Sequence, residues 1–154
     1  MNTVKEEAAT SGCTQELLTE LYKNLKMGAD SIVNILPHAK EPRLKEELTA
    51  ELNRYEELAA DAGKLLYRSG ETPEEKGMMA KMAAKMGMAV NTMMDSSSSH
   101  IAEMMIEGAT MGITDTISLI RKYENKSCSE EALRLAKNSV RFMEDSVERM
   151  KKYL

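Results

Sequence analysis

Apolar residues recur at alternating steps of three and four positions along several long segments of this 154-residue chain. In the clearest segment they are, in order, Leu133, Ala136, Val140, Met143, Val147, Met150 and Leu154. Such spacing places side chains on one face of an α-helix, where they can pack against a neighbouring helix. No segment shows the apolar and polar alternation, rich in β-branched residues, that is typical of a strand. The sequence therefore predicts an all-α protein of one domain.

Capping residues, prolines and glycines mark where the predicted helices begin and end. Thr14 can cap the first helix, Pro42 opens the second, and Gly70 stops it. The run Asp95–Ser99 should interrupt the segment that follows, because its serines compete for backbone hydrogen bonds. Five helical segments are thus predicted, over residues 14–37, 42–70, 72–94, 98–123 and, from Ser127 or Ser129, the remainder of the chain.

Charge and cysteine content exclude several classes of protein. The formal net charge is −4, and Lys and Arg are spread over the whole length, which argues against a nucleic-acid-binding surface. No apolar run reaches the ~20 residues of a membrane span, and residues 1–12 lack the apolar core of a signal peptide. We expect a cytoplasmic protein with Cys13 and Cys128 as free thiols. Residues 1–13 are predicted to form a flexible tail before a single helical-bundle domain, 14–154.

Two glycines that are four residues apart, Gly108 and Gly112, share one face of the fourth predicted helix. Each glycine inside a helix costs roughly 0.5–1 kcal/mol relative to alanine. The favoured interpretation is a close approach between this helix and its neighbour, and the alternative is space for a ligand. Gly28 and Gly63 lie inside the first and second predicted helices, where the same interpretation applies.

The segment Ala39–Leu48, which leads to Glu51 and Leu58, resembles the first helix-to-helix junction of ferritin-like proteins, in particular a bacterial branch of that superfamily. The likeness covers about residues 15–154. It implies an up-down four-helix bundle with an additional Met-rich helix, placed as a crossover between bundle helices 2 and 3. With the Asp95–Ser99 break, this arrangement brings the two cysteines to the same end of the bundle.

The di-iron members of that superfamily need a Glu on each of two helices and a Glu-x-x-His on each of the other two. Here Arg54 stands where a His should follow Glu51, and Asp30 lies off the apolar stripe of the first helix. Glu144 and Glu148 lie on the polar face of the last helix, which has no His. We therefore expect no ferroxidase activity, no enzyme and no resident cofactor.

Glu51 lies on the apolar stripe of the second predicted helix and has two interpretations. It is either a relic or working metal ligand, or a residue at the edge of the stripe that pairs with Lys or Arg while Leu52 points inward. His100, Glu103 and Glu107 share one helix face at a spacing that suits a metal ion. Hydroxyl residues continue the same line, which favours a solvated face.

Methionine is unusually frequent, with 14 residues, many of them between Met78 and Met111. We favour the interpretation that the Met-rich helix is covered by the bundle and by a second copy of the protein. The alternatives are a recognition surface for varied apolar partners and a Cu(I) site. The expected interface residues are Met78, Met79, Met82, Met86 and Met93, and the expected copper ligands are Met79, Met82 and Met86.

Taken together, these patterns predict a non-enzymatic structural or interaction protein that forms a homodimer or a larger homo-oligomer. The alternative is a metal-binding bundle, with iron at a degenerate carboxylate site or copper at a Met-lined site. No nucleic-acid or membrane partner is expected.

Overall fold

The computed structural model describes residues 2–70 and 95–154, which are almost entirely helical. The four α-helices of these residues are α1 (Asn2–Ile35), α2 (Pro42–Arg68), α3 (Ser98–Tyr123) and α4 (Glu130–Met150). Short 3-10 turns follow α1 at Leu36–His38 and α4 at Lys151–Tyr153. The prediction of an all-α helical bundle is confirmed. The predicted Met-rich helix over residues 72–94 lies outside the described residues.

Polar contacts at the two ends of the bundle show the direction of each helix. At one end, near the beginning of α4, the Thr14 hydroxyl of α1 accepts a hydrogen bond from the Ser129 amide at 3.0 Å. At the same end, the Gln15 amide donates to the carbonyl of Ser69, just after α2, at 2.6 Å. At the opposite end, the Ser98 hydroxyl that opens α3 donates to Glu41, just before α2, at 2.8 Å.

Helices α1 and α4 therefore run in one direction, and α2 and α3 run in the other. Helix α1 packs beside α2 and α3, and α4 also packs beside both, so neighbouring helices are antiparallel. The end of α2 and the beginning of α3 lie at opposite ends of the bundle.

The predicted limits of the second and fourth helical segments agree closely with the structure. Pro42 occupies the first turn of α2, and Gly70 follows the helix with a φ of 92°, a conformation that suits glycine. Residues 95–97 are not helical, which confirms the serine break. Ser97 caps α3 by accepting from the His100 amide at 3.2 Å, and Ser129 caps α4 in the same way.

The predicted beginning of the first helix at Thr14 is wrong, because α1 already begins at Asn2 and includes the residues that we expected to form a flexible tail. The Thr14 side chain hydrogen bonds to the Ser129 amide of another helix and does not cap its own. The preceding residues are rich in alanine and glutamate, which favour helix, and Gly12 alone is too weak a breaker to end it.

The expectation of free thiols is also wrong, because Cys13 and Cys128 form a disulfide. Their Cα atoms lie 5.4 Å apart, although the residues are 115 positions apart in sequence. The pairing confirms that both cysteines lie at the same end of the bundle. The error came from inferring the thiol state from the expected compartment, whereas the fold places the side chains together.

The core is built from one stripe on each helix. In α1, the buried side chains include Leu18, Leu21, Leu25, Ile32 and Ile35. In α4, the buried face is turned slightly from the predicted stripe and includes Ala132, Leu135, Ala136, Ser139, Val140, Met143, Ser146 and Met150. Leu154 was predicted to lie on this stripe but is 62% exposed, because α4 has ended before it.

Glycine permits a close approach at two of the predicted positions and not at a third. A Cβ atom at Gly28 would lie 2.5 Å from Cε1 of Tyr55, so α1 and α2 meet there without room for a side chain. A Cβ atom at Gly112 would lie 2.7 Å from Sδ of Met143. At Gly108, no atom of residues 12–70 or 95–154 lies within 4 Å of that position, so these residues do not pack against it.

We predict that Gly28→Ala lowers the free energy of unfolding by about 1–3 kcal/mol, because the added methyl group has to displace the buried Tyr55 ring. The matched control is Gly108→Ala, which should raise stability by about 0.5–1 kcal/mol through helix propensity alone. Urea denaturation followed by circular dichroism measures both changes. Equal effects of the two substitutions would contradict the contact between α1 and α2.

Candidate functional site

A buried polar cluster lies between α2 and α4, and its central residue is Glu51. The Glu51 side chain is only 2% exposed. Its Oε2 atom accepts a hydrogen bond from the Ser146 hydroxyl at 2.7 Å, and its Oε1 atom lies 3.5 Å from Nη2 of Arg149. Tyr55, one helical turn further along α2, packs its ring edge-on against Phe142 with centroids 4.8 Å apart. We call Glu51, Tyr55, Ser146 and Arg149 the Glu51 cluster.

The electrostatics of the Glu51 cluster are dominated by burial. Removal from water raises the pKa of Glu51 above its ordinary value, while the Ser146 hydrogen bond and the Arg149 charge lower it in part. Burial also raises the pKa of the Tyr55 phenol, and the Glu51 charge nearby raises it further. The cluster therefore holds one carboxyl group whose charge is compensated by its own neighbours.

The interpretation of Glu51 as a residue that pairs with Lys or Arg is partly correct, and its interpretation as a metal ligand stays a prediction. Glu51 pairs with an arginine, as one of them predicted, but it lies inside the α2–α4 interface and not at an edge. Leu52, which was expected to replace it in the core, is only partly buried. The sequence contained no signal for Ser146, because a serine on the apolar face of α4 has no pattern that distinguishes it.

The donor set of the Glu51 cluster does not fit a di-iron centre. Such a centre needs several carboxylates and imidazoles around two cations, whereas Arg149 places a positive charge beside the Glu51 carboxylate. Arg54, at the position of the expected His, pairs with Glu57 at the surface at 3.1 Å. Glu144 and Glu148 are exposed, as predicted. Within residues 2–70 and 95–154, no group of three His, Cys, Asp or Glu side chains is arranged to hold a metal ion.

The His100 face of α3 is open to solvent. His100 and Glu103 form a contact of 3.5 Å between Nδ1 and Oε2, and more than a third of each side chain is exposed. Glu107 is exposed as well, and so are the hydroxyl residues Thr110 and Thr114, which follow it on the helix. The prediction of a solvated face is therefore confirmed.

A cavity of about 310 Å³ opens between α1 and α3, and we call it the α1–α3 cleft. The described residues that line it are mostly apolar and include Met27, Ile32, Ile35, Met104, Met105, Gly108, Ala109, Met111, Gly112 and Met143. Asn24, Ser31 and Glu107 contribute polar groups. Met111 is 65% exposed, whereas Met105 and Met143 are buried.

The α1–α3 cleft was only partly visible in the sequence. The Gly108–Gly112 pair pointed to α3, whereas the prediction from methionine frequency concerned residues 72–94, and Met27 of α1 had no separate signal. Gly108 lines the cleft, and no atom of the described residues lies within 4 Å of the position its side chain would take. The predicted interface and copper residues, Met78, Met79, Met82, Met86 and Met93, lie outside the described residues.

Comparison with known proteins gives a family but no function. A family model described as "Domain of unknown function (DUF2383)" matches residues 14–122, which is most of the chain. The chain belongs to this family. The matched range contains α2, α3 and most of α1, so it includes Glu51 and both walls of the α1–α3 cleft, but not Ser146 or Arg149. No curated protein and no solved structure matches the chain.

None of the helices in the described part of the chain combines the length and the apolar content that a bilayer-crossing segment requires.

We predict that Arg149→Met destabilises the protein by about 1–3 kcal/mol at pH 8, because it leaves the Glu51 carboxylate buried without its cation. The loss should be smaller at pH 5. The folded-state pKa of Glu51 is raised, so protonation of this residue favours the folded state and stability falls as pH rises through that raised pKa. Removal of Arg149 raises the pKa further, so the pH range over which stability falls extends to higher pH.

Urea denaturation at pH 5 and pH 8 measures the difference. Arg54→Met is the matched control, since it removes an arginine from an exposed ion pair and should change stability by less than about 0.5 kcal/mol at either pH. An equal loss at both pH values for Arg149→Met would show that Glu51 does not depend on this arginine.

Proposed function

We propose that this protein is a non-enzymatic interaction protein that associates with a second copy of itself along the α1–α3 cleft. The observation that carries the proposal is the exposure of Met111, at 65%, on the rim of an apolar cleft. A large apolar side chain that remains in water is favourable to cover, because burial removes its surface from solvent.

Methionine suits such a surface because its unbranched side chain can fill irregular gaps between two helices. Met27 and Met104 lie on opposite walls of the cleft and are both partly exposed. On α1, Val33 is 50% exposed and directly follows the cleft residue Ile32. These side chains together give the two walls a surface that a partner helix can cover.

The chemistry of the described residues gives no support to catalysis. The Glu51 carboxyl group is sealed between α2 and α4, so a substrate has no access to it. Inside the α1–α3 cleft, the titratable residues are Tyr55 and Glu107. Tyr55 is buried, and burial raises its pKa, which removes it from proton transfer near neutral pH.

The wider interface that we predict includes the Met-rich residues 78–93 and remains a prediction. A cytoplasmic location also remains a prediction. The disulfide weighs against it, because disulfides persist mainly in oxidising compartments. The likeness to ferritin-like proteins is supported by the antiparallel arrangement of all neighbouring helices.

Metal binding is the competing proposal. It would use either Glu51 with a single ion or Met79, Met82 and Met86 with copper. The first possibility has one supporting observation: the Oε1 atom of Glu51 is buried and accepts no hydrogen bond of good geometry. The Arg149 side chain beside that atom weighs against it, because a cation and a guanidinium compete for the same carboxylate.

Self-association is tested by light scattering coupled to size-exclusion chromatography. We expect the full chain to elute with at least twice its monomer mass of 17.2 kDa. Met111→Glu should weaken the association by tenfold or more, because it places a charge in the covered surface. Tyr67→Glu is the control, since Tyr67 is 74% exposed on α2 and does not line the cleft.

A wild-type chain that remains a monomer at about 100 μM would contradict the proposal. At that concentration, even a dimer whose free energy of association is only about −5 kcal/mol is populated. Equal weakening by Met111→Glu and Tyr67→Glu would place the contact elsewhere on the molecule. Circular dichroism of both variants confirms that any change in mass does not come from unfolding.

A further inference from the structure

The Cys13–Cys128 disulfide joins parts of the bundle that are distant in sequence. Cys13 lies in α1, and Cys128 lies in the connection between α3 and α4, immediately before the capping residue Ser129. The bond closes a loop of 115 residues and fixes the end of the bundle where α1 meets the α3–α4 connection. The self-association proposed above makes no use of it.

Hydrogen bonds hold the same end together without any contribution from sulfur. The Thr14 hydroxyl, next to Cys13, accepts from the Ser129 amide, next to Cys128, at 3.0 Å. Tyr123, at the end of α3, donates to Glu16 of α1 at 2.8 Å. These bonds and the apolar core contain no sulfur–sulfur contact, so they stay available to the reduced chain.

The two cysteines of the disulfide differ in exposure. Cys13 is partly exposed, so a small thiol can approach the bond from its side, whereas Cys128 is buried. Residues 124–127, which precede Cys128, are all exposed. Ser127 has a φ of 53°, an unusual value for a residue other than glycine, so the turn that presents Cys128 is held in a less favourable backbone conformation. Such a turn can change locally while the four helices stay packed.

We propose that the Cys13–Cys128 disulfide is a reversible redox latch, which exchanges with low-molecular-weight thiols of the glutathione type while the bundle remains folded. In the oxidising direction, one cysteine thiolate attacks a glutathione disulfide, forms a mixed disulfide and releases one glutathione thiolate. The second cysteine then attacks the mixed disulfide and releases the other. Two protein thiols are oxidised, one glutathione disulfide is reduced to two thiols, and the two cysteine protons end on those thiols.

The latch should affect stability strongly and the helix content weakly. Joining residues 115 positions apart restricts the unfolded chain, so the oxidised form gains stability relative to the reduced form. At a chain length of 154 residues, that gain corresponds to a rise in Tm of about 10 °C or more. In the folded protein, we expect reduction to increase hydrogen exchange mainly in the α3–α4 connection.

The experiment uses the full chain equilibrated in glutathione buffers from fully oxidising to fully reducing. Alkylation and mass spectrometry count free thiols, circular dichroism gives Tm and helix content, and hydrogen exchange locates the loosened residues. The double variant Cys13→Ser, Cys128→Ser is the control. We expect no labelled thiol and a higher Tm in the oxidised form, two labelled thiols and unchanged helix content in the reduced form, and a control that melts like the reduced chain in every buffer.

Three results would overturn the proposal. Two free thiols in the most oxidising buffer would show that the bond does not form. Equal Tm values for the oxidised and reduced chains would show that the latch has no effect on stability. Loss of the cooperative transition on reduction would show that the bond is required for folding and cannot act as a reversible latch; the reduced wild-type chain gives this answer even if the double variant does not fold.

Discussion

The burial of one carboxyl group, that of Glu51, determines what the α2–α4 interface can do. A charged group at 2% exposure is unfavourable unless its neighbours compensate it. In this structure, the Ser146 hydroxyl and the Arg149 guanidinium supply part of that compensation, while burial still raises the pKa of Glu51. The α2–α4 interface therefore holds a carboxyl group whose partners are the protein's own side chains.

The sequence was sufficient for the helices and for most of the core because these depend on local periodicity and capping. Pro42, Ser97, Ser129 and Gly70 act within one turn of the helix ends they define, so their effect could be predicted. The beginning of α1 could not be predicted in this way. Thr14 has the chemistry of a capping residue but uses it on another helix, which only the tertiary structure shows.

The sequence did not predict which residues of distant segments contact each other. The partner of Glu51 was predicted by type, as an arginine or lysine, but not by position, since Arg149 lies almost a hundred residues later. The disulfide was missed for a related reason, because the thiol state was inferred from composition. Gly108 and Gly112 lie on the same face of α3 but differ in their surroundings among the described residues: Gly112 packs against Met143, and Gly108 has no described neighbour within 4 Å.

We infer that the Glu51 carboxyl group takes its partners, Ser146 and Arg149, from the protein and does not bind iron. Carbon-13 NMR of the Glu51 carboxyl group, titrated with pH in the presence and absence of ferrous iron under anaerobic conditions, tests this inference. We expect one titration, with a pKa above the ordinary value for glutamate, that iron does not change. Stoichiometric broadening or loss of that signal when iron is added would show that Glu51 binds the metal.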